Sequence, residues 1–232
     1  MHRLATCPGL DPPEDVVLVE QPGADVLFLT SAGTDISCLD ASLPSYPAWN
    51  ERIRALPLSC LDHPAQLDHY LNTTAQAAHL IVVRLLGSRG HWSYGLEQLQ
   101  RWCSEAKQRQ LIVLAGTADQ SNELHGLGSC SAELADQLSA LLREGGIDNM
   151  GRFLGALEAL LEGTPPSPDN VAVVPCPDPM PWDWRDEAGA AVGVVLYRAQ
   201  FQAGDLALAD ALTAALRKEG LRPCLLWVSS LR

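Results

Sequence analysis

The sequence predicts an α/β protein: a Rossmann-like or flavodoxin-like parallel sheet with helices on both faces, followed by the start of a second α/β unit. Three observations lead there. Short apolar runs recur between segments with helical periodicity, which implies βαβ crossovers and a mostly parallel sheet. The run His79–Leu86 is almost continuously apolar (Leu80, Ile81, Val82, Val83 and Leu85 around Arg84), as suits a strand covered on both faces. Gly87, Gly90 and Gly95 then free the backbone at that strand's carboxyl end, where open α/β sheets place their ligands.

The expected strands are His2–Cys7, Asp25–Thr30, Leu56–Leu61, Leu80–Leu86 and Leu111–Ala115, with Val16–Glu20 as a weaker sixth. Between them, Trp92, Leu96, Leu99, Cys103 and Ala106 repeat at helical spacing and mark one apolar stripe. Leu134, Leu138, Leu141 and Leu142 mark another, with Ser131 placed as its N-cap and Gly145-Gly146 as its end. A third stripe runs through Met150, Phe153, Leu154, Leu157 and Leu161 to Gly163. Seven of the sixteen prolines fall between Pro165 and Pro181, which reads as a linker. Beyond it, Val192–Ala199 is an expected strand, Leu208 to Leu216 a helix stopped by Gly220, and Cys224–Val228 a second strand. The expected organisation is thus an α/β domain over 1–162, a proline-rich linker over 163–190 and one βαβ unit over 191–232. About 40 residues rarely bury a core alone, so the last unit is expected to be less protected than the first.

Composition excludes several functions. With 28 acidic against 16 basic residues the net charge is −12, and no basic run exists, which argues against nucleic-acid and anionic-membrane binding. No apolar segment approaches the roughly 20 residues of a membrane span. The first residues are too short and polar for a signal peptide. The seven cysteines are scattered and odd in number, and a reduced cytoplasm fits them best.

Motifs for chemistry are sparse. GSRGHWSYG (Gly87–Gly95) lies between a strand and a helix but lacks both the G-x-G-x-x-G order and the Walker A lysine, so no ATP site is readable. Cys60 and His63 have C-x-x-H spacing without the second pair a zinc site needs, which favours a buried cysteine and an exposed histidine. No G-x-S-x-G elbow is present, and Cys7, before Pro8-Gly9, has no activating partner placed by the sequence. These absences speak against a small hydrolase or transferase.

The candidates that remain gather at the expected ligand edge. Arg84 is a charge inside an apolar strand and requires a partner, either a carboxylate of the fold or one on a ligand. Asp35 follows another strand at the same edge; it is a candidate for that partner, for a ligand contact, or, like Thr34, for the cap of the next helix. Arg89 and His91 lie in the glycine-bearing turn, and Tyr94 is placed to line a cleft. Arg198, after Tyr197, repeats the strand-arginine pattern in the second unit. Trp182 and Trp184 read as packing anchors. No catalytic residue and no metal ligand is assigned.

Met1–Thr6, the segment Ala24–Ser31 with Asp35, RLLGSRGHWSYG (Arg84–Gly95), LREGGIDN (Leu142–Asn149), and LYRAQFQAGD and WVSSLR in Val192–Arg232 together resemble the N-terminal region of the cobaltochelatase large subunit, in the family shared with the magnesium-chelatase H subunit. The resemblance runs in order along essentially the whole chain. It departs at His91, where an aromatic residue is expected, and at Arg3, which interrupts the first apolar strand. It implies a tetrapyrrole-binding piece of an enzyme that inserts Co²⁺ into hydrogenobyrinic acid a,c-diamide in cobalamin synthesis. A separate AAA+ ATPase subunit would hydrolyse ATP, a further metal-ion-adhesion subunit would take part, and this chain would bind no cofactor itself. Family large subunits are several times longer, and the expected insertion site lies beyond Arg232. The alternatives are a magnesium-chelatase-type piece, or a free-standing α/β module that binds a small molecule or regulates without catalysis.

Overall fold

A computed structural model describes residues 16–231. The strand expected at His2–Cys7 lies outside them. The first sheet has four parallel strands: β1 (Val26–Thr30), β2 (Ile53–Pro57), β3 (Leu80–Leu85) and β4 (Gln110–Ala115), in the order β2-β1-β3-β4. Every residue of β1 and β3 is buried, because helices cover both faces. Leu27, Leu29, Ile81, Val83 and Leu85 meet helices α2 (Pro64–Asn72) and α3 (Ser93–Ser104). Val26, Phe28, Leu80, Val82 and Leu114 meet α1 (Gly33–Ser42), α5 (Ala132–Glu144) and α6 (Ile147–Leu161). A short helix α4 (Ser121–Leu124) follows β4.

Several elements of the first unit differ from expectation. Val16–Glu20 pairs with no strand; it runs as an irregular segment whose Val17 carbonyl accepts a hydrogen bond from Gln66. The second strand begins three residues earlier than expected and ends at Pro57, whose ring removes the donor that the ladder would next need. Leu58–Leu61 then turns as a 3₁₀ segment and buries Leu58 and Leu61. Helix α1 starts at Gly33 with Ala32 as its cap, so Asp35 sits inside the first turn. Helix α3 ends at Ser104, before Ala106. Ser131 caps α5 as expected, its hydroxyl accepting from the Leu134 N–H at 3.2 Å.

The second sheet has three strands: β5 (Met180–Trp182), β6 (Ala191–Tyr197) and β7 (Arg222–Val228), in the order β5-β7-β6. β6 and β7 are parallel and β5 is antiparallel to β7. Helix α9 (Ala207–Lys218) makes the crossover. Trp182, Phe201 and Trp227 meet in the small core, Trp182 edge-on to the other two rings and Phe201 tilted against Trp227. Trp182 is thus a packing anchor, while Trp184 is largely exposed and its indole N–H donates to the Leu225 carbonyl at 2.7 Å. The expected strand Val192–Ala199 stops at Tyr197, and Arg198 opens helix α8 (Arg198–Gln202). Arg198 is therefore not a strand arginine like Arg84; its Nη1 donates to the Cys176 carbonyl at 2.7 Å.

The stretch read as a linker contains β5 and the short helix α7 (Pro168–Val171), and it is strapped to the first unit. The Asn149 side chain donates to the Val174 carbonyl and accepts from the Val174 N–H, both at 2.8 Å. Glu144 accepts from the Cys176 N–H at 2.7 Å. The second unit also docks directly. Gly145 and Gly146 join α5 to α6 with φ of 66° and 82°, a turn that glycine makes without strain. The Gly146 N–H donates to the Gln202 carbonyl at 3.0 Å, and Gln202 Nε2 to the Arg143 carbonyl at 2.9 Å.

Candidate functional site at the carboxyl edge of the first sheet

In the order β2-β1-β3-β4 the chain leaves β1 toward one face of the sheet, through α1, and leaves β3 toward the other, through α3. The two exits diverge and open a crevice between the strand ends, the position where open α/β sheets bind ligands. The crevice has a volume of about 240 Å³. Thr30, Ser31 and Gly33 line it from the β1 side, Ser59 and Asp62 from the turn after β2, and Leu85, His91 and Trp92 from the β3 side.

Its floor is fixed by a buried polar network. Arg84 Nη1 donates to Asp35 Oδ1, and the Thr30 hydroxyl donates to Asp35 Oδ2 at 2.6 Å. The same hydroxyl accepts from the Ala32 N–H at 3.0 Å, while the Ser31 N–H donates to the Arg84 carbonyl at 3.0 Å. Arg84 and Asp35 are 5% and 4% exposed, so each charge depends on the other. Burial pushes the Asp35 carboxyl upward, and Arg84 and Thr30 pull it back. The network ties β3 to the loop that starts α1. It satisfies Asp35 with groups of the fold, which makes Asp35 and Arg84 supports of the crevice.

The other sequence candidates separate. His91 lines the crevice, with Nδ1 3.3 Å from the Ser88 hydroxyl. Gly87, at φ 127°, lets the turn pass under the imidazole; a Cβ there would lie 2.8 Å from Nδ1. Arg89 is in the turn, and its backbone N–H donates to Glu123 at 3.2 Å. Tyr94 points elsewhere: its hydroxyl donates to Asp68 at 2.8 Å, which holds the phenol proton more tightly, and it lines a polar groove between α2 and α3 with Asn72, Gln98 and Arg101. His63 is an α2 cap rather than a metal ligand, accepting from the Ala65 N–H at 3.1 Å while Gln66 closes the capping box. Among the described residues, no group of three or more His, Cys, Asp and Glu side chains is placed to hold a metal ion. No described helix is long and apolar enough to cross a membrane.

Sequence reasoning missed His125. It is buried at the end of β4, where Nε2 accepts from the Ala115 N–H at 3.3 Å and lies 3.0 Å from the Ser139 hydroxyl. Burial lowers its pKa, with Asp136 opposing, so the neutral ring braces the strand end. A cavity of about 540 Å³ beside it is lined by Ser121, Asp136 and Arg143. A lone histidine in a loop carries no spacing signal that could have placed it.

No protein-family model matches the chain. Over its whole length it is 31% identical to the aerobic cobaltochelatase subunit CobN of Sinorhizobium sp. and 28% identical to that of Pseudomonas aeruginosa. It spans about a fifth of each of these curated relatives (20% and 19%). Its fold is similar to that of the catalytic subunit of cobaltochelatase from Mycobacterium tuberculosis, with a TM-score of 0.65 over 90% of this chain and 16% of that one, at 24% identity.

Proposed function

We propose, for a chain related along its whole length to the CobN-type subunit of cobaltochelatase, that it serves as the N-terminal part of the large, tetrapyrrole-binding subunit of an ATP-dependent cobalt chelatase. The observation that carries the reading is the match itself: two curated CobN subunits align with every part of this chain, across both of its sheets. In this reading the complex inserts Co²⁺ into hydrogenobyrinic acid a,c-diamide in the cytoplasm, as a ligase that forms nitrogen–metal bonds. Cobalt is substrate, and a partner AAA+ ATPase subunit with a metal-ion-adhesion subunit hydrolyses ATP. This chain alone is inactive. Within it, His91 borders the crevice that faces a ligand or a neighbouring domain, Arg89 lies in the same turn, Arg84 and Asp35 hold the crevice floor, and Tyr94 belongs to a separate contact surface.

The test replaces the matched fifth of the Sinorhizobium subunit with this chain and supplies the partner subunits, ATP, Co²⁺ and the tetrapyrrole. Cobalt insertion that ceases without ATP is expected, together with no ATP turnover by the 232-residue chain alone. A folded chimera that binds its partners but inserts no cobalt, beside an active native subunit, refutes the reading. Insertion of Mg²⁺ in place of Co²⁺ would assign the chain to the magnesium branch.

A further inference from the structure

The second sheet is covered on one face only. Side chains of Val194, Leu196, Leu225 and Trp227 point to α8 and α9 and form the small core. The residues between them point the other way: Gly193, Val195 and Tyr197 on β6, in register with Cys224, Leu226 and Val228 on β7. None of these six is charged. Val195 is 49% exposed and Tyr197 is 54% exposed, while a Cβ built on Gly193 meets nothing within 4 Å. Pro181 of β5 extends the row beside Leu226. The parallel β6-α9-β7 unit puts its helices on one face, and the opposite face carries an uncharged, largely apolar row, the kind of surface that marks an interaction site.

We propose that this open face seats an amphipathic helix from the part of a cobaltochelatase subunit that lies outside the matched stretch, whether joined to this chain or meeting it as a separate polypeptide. The proposal rests on the functional reading above. A helix fits because the unpartnered surface is a sheet face, and Gly193, next in the outward row before the exposed Val195 and Tyr197, lets a helix backbone approach closely at that end. The relatives supply the occupant: about four-fifths of their length lies outside the matched stretch. The chain's net charge of −12 opposes the two other occupants of an apolar face, a second copy and an anionic lipid surface.

Hydroxyl-radical oxidation of Tyr197 tests this in the free chain and in the Sinorhizobium chimera, with cobalt insertion measured separately. Tyr197 is expected to react freely in the chain and at least tenfold more slowly in the chimera. Gly193→Leu, which meets open space in the free chain, is expected to leave that chain's melting temperature unchanged and to restore Tyr197 oxidation in the chimera. Equal oxidation in the free chain and the folded chimera overturns the proposal. So does protection of the free chain that grows with its own concentration, or on adding vesicles containing phosphatidylglycerol. If the chimera does not fold, the free chain is mixed with the relative's remaining polypeptide, and undiminished Tyr197 oxidation then overturns it. Protection without cobalt insertion would remove the functional reading and leave the surface standing.

Discussion

Removing Asp35 should destabilise the first unit more than any exposed substitution. Asp35→Ala deletes the counter-charge of a guanidinium that is 5% exposed and whose Nε has no hydrogen-bond partner among the described residues. Breaking such a buried pair costs about 3–5 kcal/mol, because the remaining charge is neither solvated nor matched. In a unit of this size each kcal/mol lowers the melting temperature by about 2–4 °C, so a fall of roughly 6–20 °C is expected. Arg84→Met is different. The Thr30 hydroxyl still donates to Asp35, and the carboxylate, without Arg84, has its pKa raised further above 3.8 by burial. A carboxyl whose folded pKa is raised is most favourable below its unfolded value and loses stability as pH rises through the folded one. The deficit of Arg84→Met relative to the parent should therefore shrink as pH is lowered. Asp35→Leu combined with Arg84→Met removes both charges and should come within about 1 kcal/mol of the parent, or exceed it. Urea unfolding of all four proteins, with hydrogen exchange of β1 and β3 amides, measures these values. An Asp35→Ala cost below about 1 kcal/mol, or a double variant as unstable as the two single changes added together, would refute the account of the crevice floor.

Three further outcomes are expected. His125 is held neutral by burial, so its contribution is complete above its ordinary value of 6.5 and is lost as pH falls below that toward the lowered folded pKa; His125→Gln should flatten this limb of a stability–pH curve. Gly95→Ala should destabilise by about 1–3 kcal/mol despite the better helix propensity of alanine, since the added Cβ would lie 2.2 Å from the buried Trp92 ring; thermal melts would show it. Asn149→Leu should free the Val174 strap and speed proteolysis between residues 172 and 178, while leaving exchange in β1 unchanged, because both Val174 bonds come from that one side chain.

Much of the first unit was legible because its signals are local. Continuous apolar runs gave β1, β3 and β4 within a residue or two, and helical stripes with Ser131 and Gly145-Gly146 gave α5 and α6. Local signals also misled. Leu58 and Leu61 are as apolar as strand residues, yet they are buried from a 3₁₀ turn that Pro57 starts. Met180-Pro181-Trp182 sits among prolines and reads as linker, but its two large side chains complete a core whose other half comes some forty residues later.

The candidate site shows the same division. Arg84 could be singled out because a charge in an apolar strand has a cost that any fold must offset, and Asp35 could be named because both follow from the strand ends that flank one crevice. The placement of Tyr94 could not be read. Its position in the first turn of the helix beyond the ligand edge is compatible with either side of α3, and only the packing of α2 against α3 turns its hydroxyl to Asp68. His125 and Asn149 lie further out of reach. Each bonds to backbone groups that the sequence does not distinguish from others: the Ala115 N–H for one, and the Val174 N–H and carbonyl for the other. Such contacts exist only once β4, α5 and the strap have been brought together. A sequence therefore announces the polar groups that are expensive to bury, whereas the polar groups that pin loops to a finished core emerge with the tertiary structure.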